Sequence, residues 1–356
     1  MTVSDSQLSD AAAPTGRRVL VTGTAGFIGF HLARLLLAEG FEVHGYDGMT
    51  TYYDARLKQD RHALLRAQPG FTATEAMLED NETLQRVAAE FTPQVIVHLA
   101  AQAGVRYSLE NPRAYIESNV VGAFNLMEAA RELRQAGTLE HLLMASTSSV
   151  YGANEVMPFT ETEKADTPLT IYAATKKANE AMAHSYAHLW DLPTTMFRFF
   201  TVYGPWGRPD MAPYKFTDAI AHGRTIDIYN NGDMYRDFTF VTDLVRAIRL
   251  LIDAVPVRPA TPADVPEGDS LSPVAPYRIV NIGNSDKVRL LDFVEAIEDA
   301  LGVRAVRNYM PMQPGEVFAT WADASLLQRL TGYKPQTHYR DGVNQFVAWY
   351  REYYGG

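Results

Sequence analysis

The stretch RRVLVTGTAGFIGFHLARLLLAEGFEVHGYD, Arg17 to Asp47, decides the fold. Arg17 to Thr22 is a short apolar strand. It runs into Gly23-Thr-Ala-Gly26-Phe27-Ile28-Gly29, a turn with glycine at every third position. From Phe30 to Glu39 the apolar residues Leu32, Leu35 and Leu36 fall at helical spacing and stop at Gly40. Phe41 to Tyr46 is a second strand, ending at Asp47. Strand, glycine turn, helix, strand and acid within about 30 residues are the context a dinucleotide site requires. Glycines let the backbone approach a pyrophosphate, and the helix N-terminus stabilises its charge. A carboxylate at Asp47 would accept both ribose hydroxyls of an adenosine and repel a 2′-phosphate, which predicts NAD rather than NADP.

Outward from this unit the alternation continues. Met77 to Asp80 ends a third strand, and Gln94 to Ala101, Leu142 to Ala145 and Thr194 to Phe200 read as further buried strands. Helices are expected at Tyr115 to Arg134 and from Tyr172 to about Trp190. This predicts an α/β protein with a Rossmann-type doubly wound parallel sheet over 17–204. At Pro205 the register breaks. A turn-rich loop, Trp206 to Pro213, precedes a helix at Tyr214 to Gly223, a short strand at Ile226 to Tyr229 and a turn at Asn230-Asn231-Gly232. Residues 205–356 therefore read mainly as a smaller C-terminal α/β substrate-binding domain, with returns to the first unit near 236–254 and 277–283. The proline-rich 255–276 reads as a mobile surface excursion. Met1 to Gly16 is polar and alanine-rich, without a basic segment leading into an apolar one. It reads as a disordered tail, not a signal peptide.

Composition narrows the function classes. Of 356 residues, 47% are apolar and 21% charged, ordinary for a globular protein. The net charge of −10 argues against non-specific nucleic-acid binding but not against a local basic pocket. There is no cysteine, which excludes a disulfide scaffold, a thiolate nucleophile and a Cys-zinc site. Histidines show no metal-ligand spacing, and His98 reads as a core or strand-end residue, so no metal is expected. No apolar run reaches the ~18 residues of a membrane span. A cytoplasmic protein is the expectation.

The chemistry concentrates in Ser146 to Lys176. Ser146-Thr147-Ser148-Ser149-Val150-Tyr151-Gly152 follows the strand Leu142 to Ala145, at the end where open α/β sheets bind ligands. Tyr172 and Lys176 are four apart on a helix and share a face. An ammonium beside a phenol stabilises the phenolate and lowers the tyrosine pKa from roughly 10, giving a base usable near neutrality. The small residues Leu99-Ala100-Ala101-Gln102 form a turn where a cofactor's ribose and diphosphate would pass.

Together, T-G-x-x-G-F-I-G at Thr22 to Gly29, the acid after the second strand, S-T-S-S-V-Y-G and Y-x-x-x-K resemble the extended short-chain dehydrogenase/reductases, in the subgroup of nucleotide-sugar epimerases and dehydratases. The resemblance runs from about Arg17 to Tyr353. It implies bound NAD, held by Gly23, Gly26, Phe27, Ile28, Gly29, Asp47, Leu78, Leu99, Ala100, Ala101, Gln102, Asn119, Tyr172 and Lys176. Relatives often carry Asp where Met77 stands, so Leu78 would serve the adenine through its backbone. Asn119 would order the loops around the site. Catalysis would fall to Tyr172, Lys176 and Thr147, with Thr147 hydrogen-bonded to the reacting sugar hydroxyl.

The resemblance also narrows the reaction. The related 4,6-dehydratases have Asp-Glu after the position of Thr147, and decarboxylating relatives keep a Glu. Here Ser148 and Ser149 stand there, which disfavours elimination and leaves epimerisation. Ser148, Ser149 and Thr201 are small donors, and Arg208 adds positive charge. Such a cluster suits the C6 carboxylate of a uronic acid. The segment Tyr203 to Ala212, Y-G-P-W-G-R-P-D-M-A, is similar to UDP-glucuronate 4-epimerases. Arg236 matches a diphosphate-binding arginine and Glu316 an acid on the uridine ribose. Gln313 stands where some relatives have a second phosphate-binding arginine. Lys215 would assist, Arg106 would lie beside the sugar nucleotide, and Tyr229 would lie near the uracil, as would Ile228. The expected reaction is interconversion of UDP-glucuronic and UDP-galacturonic acid. The rival readings are a UDP-glucose or UDP-N-acetylglucosamine 4-epimerase, a UDP-glucuronate decarboxylase and a non-catalytic NAD-sensing protein. The helices 114–134 and 171–190 resemble those forming a four-helix dimer interface in the family.

Overall fold

The computed structural model describes residues 15–312 and 317–355. Of the tail expected over 1–16, only Thr15 and Gly16 are among them. The Thr15 N–H donates to the Gly40 carbonyl at 2.9 Å.

Seven strands form the central sheet: β1 (Arg18–Thr22), β2 (Glu42–Asp47), β3 (Phe71–Glu75), β4 (Val95–His98), β5 (His141–Ala145), β6 (Thr194–Phe199) and a last strand, Tyr277–Ile282. Their spatial order is Tyr277–Ile282, β6, β5, β4, β1, β2, β3, and every pairing is parallel. The order reverses between β1 and β4, which opens a crevice beyond their C-terminal ends. The expected class and sheet are observed.

Both faces of the sheet are covered because its side chains alternate between two apolar layers. Val19 and Val21 pack with Phe30, Leu36, Val245 and Ile248, on the side of helices Phe27–Ala38 and Val241–Asp253. Leu20, between them, packs with Leu126, Met127 and Ala187, on the side of helices Ala123–Gln135 and Ile171–Trp190.

Several boundaries differ from expectation by a few residues, and two bear on the site. The third strand stops at Glu75: one further rung, Ala76 N–H to the Asp47 carbonyl at 3.1 Å, ties the chain to β2, and the backbone turns at 78–79. The helix expected from Tyr115 begins at Pro112 and widens to a π-helical stretch at Ile116–Gly122. A Cβ at Gly122 would lie 2.6 Å from Leu78 Cβ, so a glycine is needed where this widened turn meets the Leu78 segment.

After β6 the chain builds a second, smaller unit. Helices Ala212–Ala221, Leu290–Leu301 and Tyr339–Tyr354 surround short strands with a core of Ile220, Ile226, Phe238, Phe293 and Val343. The chain then returns twice to the first unit, with Val241–Asp253 against Phe27–Ala38 and Tyr277–Ile282 at the sheet edge. The proline-rich 255–276 makes several side-chain contacts with its surroundings. Arg258 bonds Asp191 (3.1 Å) and the carbonyls of Val274 (2.6 Å) and His188 (2.8 Å), while Asp269 pairs with Arg278 at 2.9 Å. Burial of that ion pair and the arginine's several carbonyl partners hold the segment down.

One buried arginine joins the two units. Arg61 is fully buried and donates to the Ala25 carbonyl and the Tyr53 hydroxyl, both at 2.9 Å, and to the Trp206 carbonyl at 2.5 Å. Trp206 has φ +62°, a left-handed conformation unfavourable for a bulky residue, and the Arg61 contact holds it there. One helix away, His31 Nε2 lies 2.8 Å from the Pro205 carbonyl.

A second buried charge group underlies the end of β5. Glu180 accepts from Arg198 at both oxygens, 2.8 Å each, and from Ser146 Oγ at 2.7 Å. Both side chains are essentially inaccessible, so removing one strands the other. Glu180→Gln is expected to destabilise the fold by about 3–5 kcal/mol, and replacing both members by apolar residues by much less. Chemical denaturation of the single and double variants measures this.

Candidate active site

Two adjoining clefts open at the C-terminal ends of the strands. The first, about 340 Å³, runs from the glycine turn to Tyr172 and Lys176. The second, about 740 Å³, lies between the sheet and the smaller unit, and Tyr52 borders both.

The glycines of the first cleft are required by contact. Gly23 has φ +83°, and a Cβ at Gly29 would lie 2.1 Å from the Gly23 carbonyl oxygen. The tight turn starts helix Phe27–Ala38, and no side chain caps the helix N-terminus at Gly26. Its first N–H groups are left for an anion at the cleft wall, where Gly23, Gly26, Phe27, Ile28 and Gly29 all lie. Asp47 Oδ2 accepts from Ala25 N and Oδ1 from Met49 N, both at 2.9 Å. Each oxygen keeps capacity for a further donor. A dinucleotide's diphosphate and ribose fit this donor and acceptor set.

Leu78, Leu99, Ala100, Ala101 and Gln102 also line the cleft, as does Met77. Asn119 is not among the lining residues. It is buried behind the wall, bonded to Gln102 N (2.8 Å), Gln102 O (3.0 Å) and Thr175 Oγ1 (3.1 Å). It orders the Gln102 turn and ties it to Thr175, with both amide protons used. Lys58 and Glu79 line the cleft without having been singled out from the sequence. Lys58 Nζ donates to the Thr50 carbonyl at 2.7 Å and sits over the Tyr53 ring. Burial lowers its pKa, opposed first by Asp47. Its only sequence signal was a lysine in the segment after the acid.

At the inner end of the cleft, Thr170 caps helix Ile171–Trp190 by accepting from Ala173 N at 3.2 Å, which puts Tyr172 in the first turn and Lys176 in the second. Thr147 caps the short turn Ser148–Tyr151, accepting from Ser149 N at 3.2 Å, and lies close enough to Tyr172 to favour its ionised form. The electrostatics correct the sequence reading. Burial pushes the Tyr172 phenol above its ordinary value, opposed by Thr147 and then by the Arg208 charge. Lys176 is itself buried. Desolvation lowers its ammonium to about 8, with Glu180 opposing. His98 is a buried strand-end histidine with Nδ1 2.8 Å from Thr22 Oγ1, held neutral by burial. Among the described residues no cluster could hold a metal ion.

Ser148, Ser149, Thr201, Arg106, Lys215, Tyr229 and Arg236 all line the second cleft. The Arg106 guanidinium lies 4.7 Å from the Tyr229 ring centre. Arg236 Nη1 donates to the Tyr235 carbonyl at 2.8 Å. Arg208 lies on the other side of the shared wall, lining the first cleft with Tyr172. Gln313 and Glu316 lie outside the described residues. Ile228 is fully buried, and its carbonyl accepts from Met310 N at 2.9 Å, so only Tyr229 of that pair faces the cleft. Arg224 and Asp210 line it too and were not singled out from the sequence. Arg224 pairs with Asp218.

The result is a buried phenol with a hydroxyl partner and a buried ammonium one turn away. It lies where a dinucleotide-shaped cleft meets a cleft with several cationic residues in its wall. This arrangement suits removal of a hydroxyl proton from an anionic ligand while hydride leaves the same carbon. Since Lys176 loses its proton as pH rises through about 8, kcat/KM is expected to fall above that pH. Lys176→Arg, which keeps its charge, is expected to remove the fall, and pH–rate profiles of the two enzymes test it.

Residues 20–346 match the model of the GDP-mannose 4,6 dehydratase family. A probable UDP-glucuronate 4-epimerase of Rhizobium meliloti (strain 1021) is 55% identical over 337 residues, covering 95% of this chain and 98% of that protein. UDP-glucuronate 4-epimerase 4 of Arabidopsis thaliana is 42% identical over 345 residues, covering 96% of this chain and 77% of that one. Among solved structures, the UDP-glucuronic acid 4-epimerase of Bacillus cereus in complex with UDP-glucuronic acid and NAD superposes with a TM-score of 0.82 at 28% identity, over 95% of this chain and 100% of that chain.

Proposed function

The chain belongs to the GDP-mannose 4,6 dehydratase family, and we propose that it is an NAD-dependent epimerase interconverting UDP-glucuronic and UDP-galacturonic acid at C4 of the sugar. The observation that carries this reading within a family named for dehydration is the triplet Thr147-Ser148-Ser149. Water elimination needs an acid and a base beside the sugar, and the residues lining the substrate cleft at those positions are Ser148 and Ser149.

Bound NAD supplies the acceptor that takes hydride from C4 and returns it. The protein does the rest. Tyr172 removes the C4 hydroxyl proton and later restores it, with Thr147 sharing the hydrogen bond. Arg208 and Lys176 hold positive charge around the phenolate. The 4-keto sugar turns over in the wide second cleft before hydride returns to its opposite face. Arg106, Lys215 and Arg236 serve the nucleotide diphosphate, and Ser148, Ser149, Thr201 and Arg208 serve the C6 carboxylate. Gln313 and Glu316 belong to the same proposal on the uridine side. Positioning dominates the rate gain.

The proposal includes a homodimer through helices 114–134 and 171–190. Support comes from large apolar side chains left exposed on these helices, with Ile116 at 48%, Phe124 at 46% and Leu189 at 65%. No helix among the described residues is long and apolar enough to cross a membrane. A cytoplasmic location belongs to the same reading, since a cysteine-free chain is compatible with a reducing compartment.

Incubation with UDP-glucuronate, UDP-glucose and UDP-N-acetylglucosamine, with products identified by NMR, is expected to show conversion of the first alone. Conversion of UDP-glucose but not UDP-glucuronate would sink the reading. Tyr172→Phe should retain NAD and lose roughly 10²–10⁴-fold in kcat, the range of general acid–base catalysis. Phe124→Glu is expected to give a monomer by light scattering.

A further inference from the structure

Arg208 is not an isolated cation waiting for a ligand. Its Nε lies 3.0 Å from Asp210 Oδ1 and its Nη2 2.5 Å from Asp210 Oδ2. This bidentate pair takes the fork through which arginine most often grips a carboxylate. The Nη1 end is left without a partner among the described residues. Asp210 is braced in turn by the Tyr52 hydroxyl, which donates to Oδ2 at 3.3 Å. Tyr52 is held by packing against Tyr107, ring centres 4.7 Å apart, and against Gly104, where a Cβ would lie 2.9 Å from the Tyr52 hydroxyl. The chain Tyr52–Asp210–Arg208 runs along the wall between the two clefts. Asp210 faces the substrate side and Arg208 the side of Tyr172.

An acidic residue beside the site of an acidic sugar works against binding by repulsion. Its contribution must therefore be something other than affinity. We infer that Asp210 is a positioning and specificity-determining residue: it locks the Arg208 guanidinium so that only its Nη1 end meets the C6 carboxylate, and so fixes the direction in which that carboxylate is held. This rests on the proposed UDP-glucuronate reaction, and it concerns a residue that touches the arginine, not the reacting carbon.

The direction matters because the 4-keto intermediate is a β-keto acid. If the C5–C6 bond aligns with the carbonyl π system, it breaks. Its electron pair passes into the C4–C5 enolate, CO₂ leaves, and C5 takes a proton from water. Return of hydride to C4 then gives a UDP-pentose. A guanidinium fixed in one orientation keeps the carboxylate out of that alignment, and a swinging one does not.

The test is the fraction of consumed UDP-glucuronate that appears as UDP-pentose or its 4-keto form, measured by NMR for wild type, Asp210→Asn, Asp210→Glu and Tyr52→Phe. Because it is a ratio of products, the fraction does not depend on how much protein is folded. Asp210→Asn is expected to raise it about tenfold or more, the rate equivalent of losing one charged hydrogen bond. The KM for UDP-glucuronate should stay unchanged or fall as repulsion is relieved. Asp210→Glu should restore much of the wild-type fraction, and Tyr52→Phe should raise it less than Asp210→Asn. A residue of merely structural importance would raise KM or lower kcat with the product fraction unmoved, and that result overturns the inference. If wild type converts no UDP-glucuronate, the functional reading falls and this inference with it. If wild type converts it and the Asp210→Asn fraction is unchanged, the clamp alone falls.

Discussion

Desolvation governs the centre of this molecule. Tyr172 and Lys176 must both exchange protons or hold charge in a wall from which water is almost excluded, and burial disfavours the ionised form of each. The surroundings are arranged against that cost. Thr147 and Arg208 favour the phenolate, while Glu180 favours the ammonium and is itself held by Arg198 and Ser146. The array begins at the tip of β5 and ends one strand over in β6, so the sheet that positions the catalytic helix also carries the counter-charges.

The parts that were legible in the sequence are those whose physics is local. The glycine turn could be read because its contacts, such as Gly29 on the Gly23 carbonyl, are made within a few residues. Tyr172 and Lys176 could be read because four-residue spacing on a helix fixes a shared face. What could not be read depends on segments distant in sequence. Lys58 lines the cofactor cleft together with residues 99–102 and Arg208, segments that only the fold brings to it. The bracing of Asp210 could not be read locally, because the Tyr52 hydroxyl that donates to it lies 158 positions earlier. Asn119 was legible as an organiser of loops but not as one screened from the cleft, since the widened helical turn that carries it leaves no trace in the apolar period. The direction of the Tyr172 shift was misread for a related reason: spacing predicts neighbours, whereas burial, a property of the whole fold, decides which charge state they favour.

Family membership and side-chain chemistry act at different levels here. The shared sheet, cleft and Tyr/Lys pair fix reversible oxidation at a carbinol, a step that dehydration and epimerisation both begin with. On the proposed reading the branch between them falls at Ser148 and Ser149, which line the substrate cleft with hydroxyls in place of carboxylates.

Arg61 has a mechanical consequence. By gripping the glycine turn, Tyr53 and the strained Trp206 at once, with His31 on Pro205 beside it, it fastens the smaller unit to the larger along the edge nearest the cofactor. That edge is a fastened seam between the two units, and it lies beside the wall of the first cleft that carries the glycine turn and Tyr53.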